Sequence, residues 1–268
     1  MIVNLIKNLK LLSINHGVIG LKQSFEDEGI NLDDLLAVRR ITDICNLKCF
    51  VKIGGCEAKT DINNCIKYGI NDIIAPMVES SFALSKFTDI TSLHSDKIHS
   101  YIVIETKTAY ENLDEILEYG NNKLNGIIIG RSDFSKSYSM NKSEVNCDFI
   151  FDKVKDILVK SKKYNYPTTL GGNISTKSVE FIKKMYFDNL LDKIETRNVV
   201  IKLNDYNIHC LEKTIQSALE YEIELLKYKR NSFILTVTEL DDRIQSLDRK
   251  STRLNSSHVK RSRMPSSA

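Results

Sequence analysis

The sequence predicts an α/β protein, a (β/α)8 TIM-type barrel with a parallel sheet and outer helices. Short, continuously apolar segments alternate with amphipathic ones along the chain. Strands apolar on both faces belong to a parallel sheet covered by helices. Almost nothing between them reads as a hairpin turn. Only Pro76 and Pro167 interrupt residues 1–247, and no linker divides them, so a single domain is expected there.

The elements follow in order. Val18–Lys22 (VIGLK) reads as a strand. Asn31 caps a helix with Asp33 and Asp34 in its first turn and Leu35, Val38 and Ile41 on one face. Cys49–Ile53 (CFVKI) is the next strand and ends in Gly54-Gly55. A helix opens at Thr60 and ends at Gly69. Asp72–Ala75 (DIIA) is stopped by Pro76, and a helix around Phe82–Phe87 follows. Tyr101–Ile104 (YIVI) ends at Glu105. Thr108 and Glu111 have the spacing of a capping box for the next helix. Gly126–Ile129 (GIII) runs into Gly130-Arg131-Ser132-Asp133, and a helix carries Ile150, Val154 and Ile157. Thr168–Leu170 precedes Gly171-Gly172-Asn173. Ile194–Ile201 reads as a seventh strand, and a helix from about Ile208 to Lys229 closes the series. The pattern places no eighth strand.

The 268 residues carry a formal net charge of +3. Six basic residues and one acid lie in 248–268, so residues 1–247 carry −2. Without a basic stripe no nucleic-acid role is expected. The segment Asp248–His258 (DRKSTRLNSSH) equals the translation of a common sequencing adapter in one frame. Residues 248–268 are therefore read as a non-native, disordered tail and excluded from fold reasoning. No apolar run reaches the ~20 residues of a membrane span. The N-terminal segment reads as an amphipathic helix rather than a signal peptide, so a cytoplasmic protein with six reduced cysteines is expected. The spacing of Cys45, Cys49, Cys56 and Cys65 contains no CxxC pair and argues against zinc. His16, His94, His99 and His209 fall away from strand ends and read as surface or packing residues.

In a barrel of this type chemistry sits where strands end. Those ends supply Lys22, Glu26, Lys52, Glu57, Glu79, Glu105, Arg131, Asp133, Asn173, Glu195 and Arg197. Glu105 and Asp133 end consecutive strands, which makes them neighbours at one end of a parallel sheet. Two carboxylates with room for water suit Mg²⁺ (or Mn²⁺), a hard cation that keeps several waters. Such an ion can polarise the carbonyl of a 2-oxo acid. Arg131 or Lys52 is expected to hold the substrate carboxylate, with Gly130 and Ser132 beside it. Gly54-Gly55 and Gly171-Gly172 leave backbone N–H groups that suit an anion or simply serve turns.

The segments VKIGGCEAKTDI (51–62), IIAPMVES (73–80), YIVIET (101–106) and GIIIGRSDFSKS (126–137) resemble the HpcH/HpaI aldolase and citrate lyase family. The resemblance implies a barrel that makes or breaks carbon–carbon bonds through a metal-stabilised enolate. The substrate would be an oxo acid or an acyl-CoA ester, and the protein a homo-oligomer. It puts the metal ligands on Glu105 and Asp133. One departure stands out. The stretch KQSFEDEG (22–29) has no histidine where the aldolase branch carries its acid/base. Lys22, Glu26 and Lys52 are the residues left to carry protons. Two other readings remain open: a non-lyase enzyme on the same barrel, such as an isomerase or a phosphate-ester enzyme, and a ligand-binding barrel without catalysis.

Overall fold

Eight strands close into a barrel in chain order: β1 (Val18–Ser24), β2 (Lys48–Lys52), β3 (Asp72–Ala75), β4 (His99–Ile104), β5 (Gly126–Gly130), β6 (Thr168–Gly171), β7 (Lys193–Glu195) and β8 (Val199–Lys202). The computed structural model describes residues 2–94 and 96–261. They divide into two units, Met1–Ile223 and Glu224–Ala268, and the barrel lies wholly in the first.

Helices follow the strands in the first unit. They are α1 (Ile2–His16), α2 (Phe25–Glu28), α3 (Leu32–Ile44), α4 (Lys59–Lys67), α5 (Ser81–Thr91), α6 (Lys107–Glu111), α7 (Leu113–Gly120), α8 (Arg131–Ser137), α9 (Asp148–Lys163) and α10 (Val179–Phe187). The last helix, α11 (Leu211–Arg261), belongs to the first unit as far as Ile223. In the second unit the backbone is helical to Arg261. The side chains of 232–237, 239 and 246–261, and all of 262–268, lie outside the described residues, and with them most of the segment read as a non-native tail. Among the described residues no helix is long and apolar enough to cross a membrane.

Strands β1 to β7 pair in parallel. Strand β8 runs antiparallel to both β7 and β1, and so closes the barrel. The stretch Ile194–Ile201, read as one strand, is a hairpin bent at Thr196-Arg197-Asn198. A parallel return needs a crossover of a dozen or more residues. Three residues allow only the hairpin. The eighth strand was hidden because the apolar residues on both sides of that turn run together.

Alternation along the strands fills the lumen. Phe50, Ile74, Tyr101, Val103, Ile128 and Val200 form its apolar core, with Ile19 packed against them. Below them Asp72 accepts from Tyr101 (3.1 Å) and pairs with Lys48 (2.7 Å). Above them, at the C-terminal ends of β1 to β7, the lumen turns polar. The helix starts follow local chemistry. Asn31 caps α3, as expected, and the structure adds a full capping box with Asp34. For α6 the cap is Thr106 and not Thr108. Its extended backbone follows directly on Glu105, and its hydroxyl accepts from the Ala109 N–H at 3.0 Å.

Candidate active site

The polar mouth holds two ion-paired groups. The first is built around Lys52, the last residue of β2. Its ammonium pairs with Asp27 of α2. The charges of Glu105, Asp27 and Asp133 outweigh its burial and raise its pKa. Lys52 is therefore a permanent cation at neutral pH.

Glu105 follows β4 and is buried, 3% exposed. Burial pushes its carboxyl pKa up. The Lys52 charge and the Met77 N–H pull it back, while Asp133 and Asp27 add to the rise. The Met77 N–H donates to Glu105 Oε1 at 3.0 Å. Met77 reaches that position with φ +53, in the left-handed region, a costly conformation for an L residue with a side chain. The loop after Pro76 thus bears strain while aiming a donor at Glu105. On its other side Glu105 faces Gly130. A Cβ on Gly130 would lie 2.6 Å from Glu105 Oε2 and 2.9 Å from its Cβ. Gly130 is where it is because the carboxylate needs that space. The Gly130→Ala substitution is expected to displace Glu105, to cost about 1–3 kcal/mol through overpacking, and to weaken Mn²⁺ binding. Urea unfolding and calorimetry would measure this; unchanged values for both would show that the gap does not hold Glu105.

Asp133 sits in the first turn of α8, half-buried. One ammonium is thus shared among Asp27, Glu105 and Asp133. The deepest of the three, Glu105, has its pKa raised, first by burial and then by the charges of Asp133 and Asp27. That donor set fits a hard divalent cation. Among the described residues no group of three or more His, Cys, Asp or Glu side chains is placed to hold a metal ion. A cation here would rest on Glu105 and Asp133 and complete its shell with water and substrate oxygens, as Mg²⁺ commonly does.

The second group joins Lys22 of β1 to Glu195 of β7. Both are largely buried, and Gly171 leaves room for the acid: a Cβ there would lie 2.9 Å from Glu195 Oε1. The hairpin turn is anchored from α11, where Glu222 accepts from the Thr196 hydroxyl at 2.6 Å and from the Asn198 N–H at 2.5 Å. Lys22, expected to carry protons, is therefore an ion-paired wall of the lumen.

Arg131 departs furthest from expectation. It is fully buried. Its Nε donates to Gly171 O (3.2 Å), Nη1 to Val145 O (3.4 Å) and Asn146 Oδ1 (2.7 Å), and Nη2 to Gly172 O (3.0 Å) and Ser178 Oγ (3.3 Å). A guanidinium has five N–H donors, and all are used by the protein. The group also lies 4.8 Å from the Phe181 ring centroid. Burial lowers its pKa to about 9, which still leaves it charged at neutral pH. Arg131 has no donor left for a substrate carboxylate and instead ties α8, β6 and α10 together. Ser132 is half-buried, its amide against Gly172, whose φ is +79 and whose Cβ would lie 2.4 Å from the Ser132 N.

Glu26 is exposed and lies over Gly54, where a Cβ would come within 3.0 Å of the Glu26 Cγ. It lines a cavity of ≈ 680 Å³ between the loops after β2 and β3, with Gly54, Cys56, Asp61, Met77 and Lys86. The anion at the Gly54-Gly55 turn is the chain's own: Asp61 Oδ2 accepts from the Gly54 N–H at 2.9 Å. All six cysteines are free. The residue that sequence reasoning passed over is Asp27. It lies between Glu26 and Glu28 in an acidic run, and only its pairing with Lys52 distinguishes it.

Comparison with known proteins places this architecture. Citrate synthase SbnG matches with a TM-score of 0.60 at 16% identity, over 84% of this chain and 90% of that one. An HpcH/HpaI aldolase from Desulfitobacterium hafniense DCB-2 matches with a TM-score of 0.56 at 11% identity, over 70% and 81%. CitE from Mycobacterium tuberculosis, solved with magnesium and acetoacetate, matches with a TM-score of 0.50 at 13% identity, over 79% and 87%. At these identities the likeness is one of fold. No curated protein sequence matches the chain. The family model for HpcH/HpaI aldolase/citrate lyase matches residues 32–167, just over half of the chain. That stretch takes in Lys52, Glu105 and Asp133, and the chain belongs to the HpcH/HpaI aldolase/citrate lyase family.

Proposed function

We propose that the protein is a metal-dependent carbon–carbon lyase acting on a 2-oxo acid or an acyl-CoA ester through an enolate. The observation that supports this reading is that Glu105, directly after β4, and Asp133, in the first turn of the helix that follows β5, both act electrostatically on Lys52 at the same end of adjacent parallel strands. A Mg²⁺ or Mn²⁺ ion held by Glu105 and Asp133 would supply the charge that polarises the oxo carbonyl. CitE of M. tuberculosis, a barrel of the same kind, was solved with magnesium, which supports the choice of metal.

The chain's own residues do the rest. Lys52 holds the substrate carboxylate as a point charge. In the cleavage direction a base takes the proton of the β-hydroxyl and the bond between the α and β carbons breaks. Its electron pair moves into the enolate, which takes a proton at carbon. Of the three expected proton carriers, Lys22 is neutralised by Glu195 and Lys52 by Asp27. Glu26 is an exposed carboxylate opening into a cavity, and it is the proton carrier of this reading. The apolar lumen below the mouth, from Phe50 to Val200, keeps water from the floor of the site.

The test is the release of pyruvate from 4-hydroxy-2-oxo acids. Turnover is expected with Mn²⁺ or Mg²⁺ and is expected to vanish with a chelator. Intact metal binding with no turnover across the series would overturn the lyase reading in favour of a non-lyase enzyme or a binding barrel.

A further inference from the structure

Helix α2 is a single turn of four residues, FEDE, directly after β1. It carries Glu26, the exposed carboxylate that lines the cavity. So short a helix cannot hold its own position, because the first turn is the costly part of helix formation. Its local contacts are long ones. Ser24 accepts from the Asp27 N–H at 3.3 Å, and the Gly29 N–H donates to Glu26 O at 3.3 Å. The rest of the hold comes from outside the turn.

Strands β2 and β8 flank β1 in the barrel, and each side supplies a contact. On the β2 side Asp27 pairs with Lys52, but the Asp27 side chain is 47% exposed, and water screens such a pair. On the β8 side Asn198 Nδ2 donates to Glu28 Oε1 at 2.6 Å, and the Glu28 side chain is only 12% exposed. A short bond to a carboxylate away from water is the stronger of the two. Arg197 Nε lies 3.9 Å from the same oxygen, beyond hydrogen-bond distance. Asn198 is itself fixed and 2% exposed. Its Nδ2 also donates to Lys22 O at 3.0 Å, which uses both amide hydrogens. Its carbonyl accepts from the Lys22 N–H at 2.8 Å, and its own N–H donates to Glu222.

We propose that Asn198 is a positioning residue of the barrel mouth: through Glu28 it fixes α2, and α2 sets where Glu26 and Asp27 stand. This rests on the proposed function only for the role of Glu26 as proton carrier. The turn between β7 and β8 is what makes it possible. Strand β8 lies antiparallel against β1, so the turn brings Asn198 to Lys22, two residues before β1 ends at Ser24. Glu222 of α11 holds the turn from behind through Thr196 and Asn198. The proton carrier thus depends on a contact that spans 170 residues of chain.

The rate of reductive methylation of Lys52, read by peptide mass spectrometry, reports how firmly α2 keeps Asp27 on that ammonium. It needs neither metal nor turnover. Asp27→Asn removes the pair outright and sets the upper limit. Glu28→Ala and Asn198→Ala are each expected to raise the rate about tenfold, the scale of one hydrogen bond to a charged group. The double variant is expected to rise no further, since both changes remove the same contact. Glu28→Gln keeps an acceptor for Asn198 and is expected to stay within about twofold of the parent. A parent-like rate in Glu28→Ala, which leaves Asn198 and the hairpin intact, would overturn the proposal. So would a rise in Arg197→Met as large as that in Asn198→Ala. In turnover both alanine variants are expected to lose about ten- to a hundredfold in kcat as Glu26 is displaced. Failure of the lyase reading removes that arm alone, and the labelling result stands or falls without it.

Discussion

Replacing Glu105 with Gln, or Asp133 with Asn, is expected to abolish Mn²⁺ binding and to lower kcat/KM by about three orders of magnitude, the scale of several kcal/mol of charge stabilisation. Both changes keep the size and shape of the side chain. The amide oxygen of the glutamine would still accept the Met77 N–H, which in the parent donates to Glu105 Oε1. The fold should survive: Glu105 is buried, and burial already works against its charged form. Burial penalises the charged form of Glu105, so a neutral isostere there is expected to leave stability unchanged or raised. Loss of metal at unchanged or raised urea midpoint would therefore be a site effect and not a folding effect. Calorimetry with Mn²⁺ reads the first quantity and urea unfolding the second. Metal affinity equal to that of the parent in both variants would remove the basis of the lyase reading.

Replacing Arg131 with Met is expected to destabilise the protein by about 3–5 kcal/mol, the cost of breaking a buried charged network by deleting one member. The five acceptors at Gly171, Val145, Asn146, Gly172 and Ser178 lose their donor together. Water cannot replace it at a position with no exposure. Arg131→Lys should recover only part of the loss. Its ammonium has three donors, and these cannot match a planar fork of five. The urea midpoint is the readout, with KM of the remaining folded enzyme close to that of the parent. An unchanged midpoint with a raised KM would return Arg131 to the substrate.

The difference between expectation and structure at Arg131 has a simple geometric origin. In the run Gly130-Arg131-Ser132-Asp133, every residue looks placed at a strand end. Helix α8, however, begins at Arg131. An α-helix turns one residue about 100° from the next, so Arg131 and Asp133 cannot face the same way. Asp133 takes the mouth and Arg131 goes under the loop. Local sequence does not reveal which of the two turns inward. That depends on Gly171, Gly172 and Ser178, which are 40, 41 and 47 residues further on.

Six strands, their parallel order and the Asn31 cap were legible because apolar period and capping chemistry are local. That Glu105 and Asp133 follow adjacent strands at one end of the sheet was legible because parallel strands bring their ends to one side. The acidic run Glu26-Asp27-Glu28 shows where the limit lies. Its three carboxylates are alike in sequence, yet Glu26 opens to a cavity, Asp27 meets Lys52 and Glu28 meets Asn198. A single helical turn sends them three ways.

By itself the sequence determined the barrel class and the order of its first six strands, since both follow from periodicity and chain order. Only the tertiary structure decided the reversed β8, the burial of Arg131, the pairing of Lys22 with Glu195 and the place of Asp27. Each of these depends on contacts between residues far apart in the chain, or on a helix phase, and neither is written in any short stretch of residues.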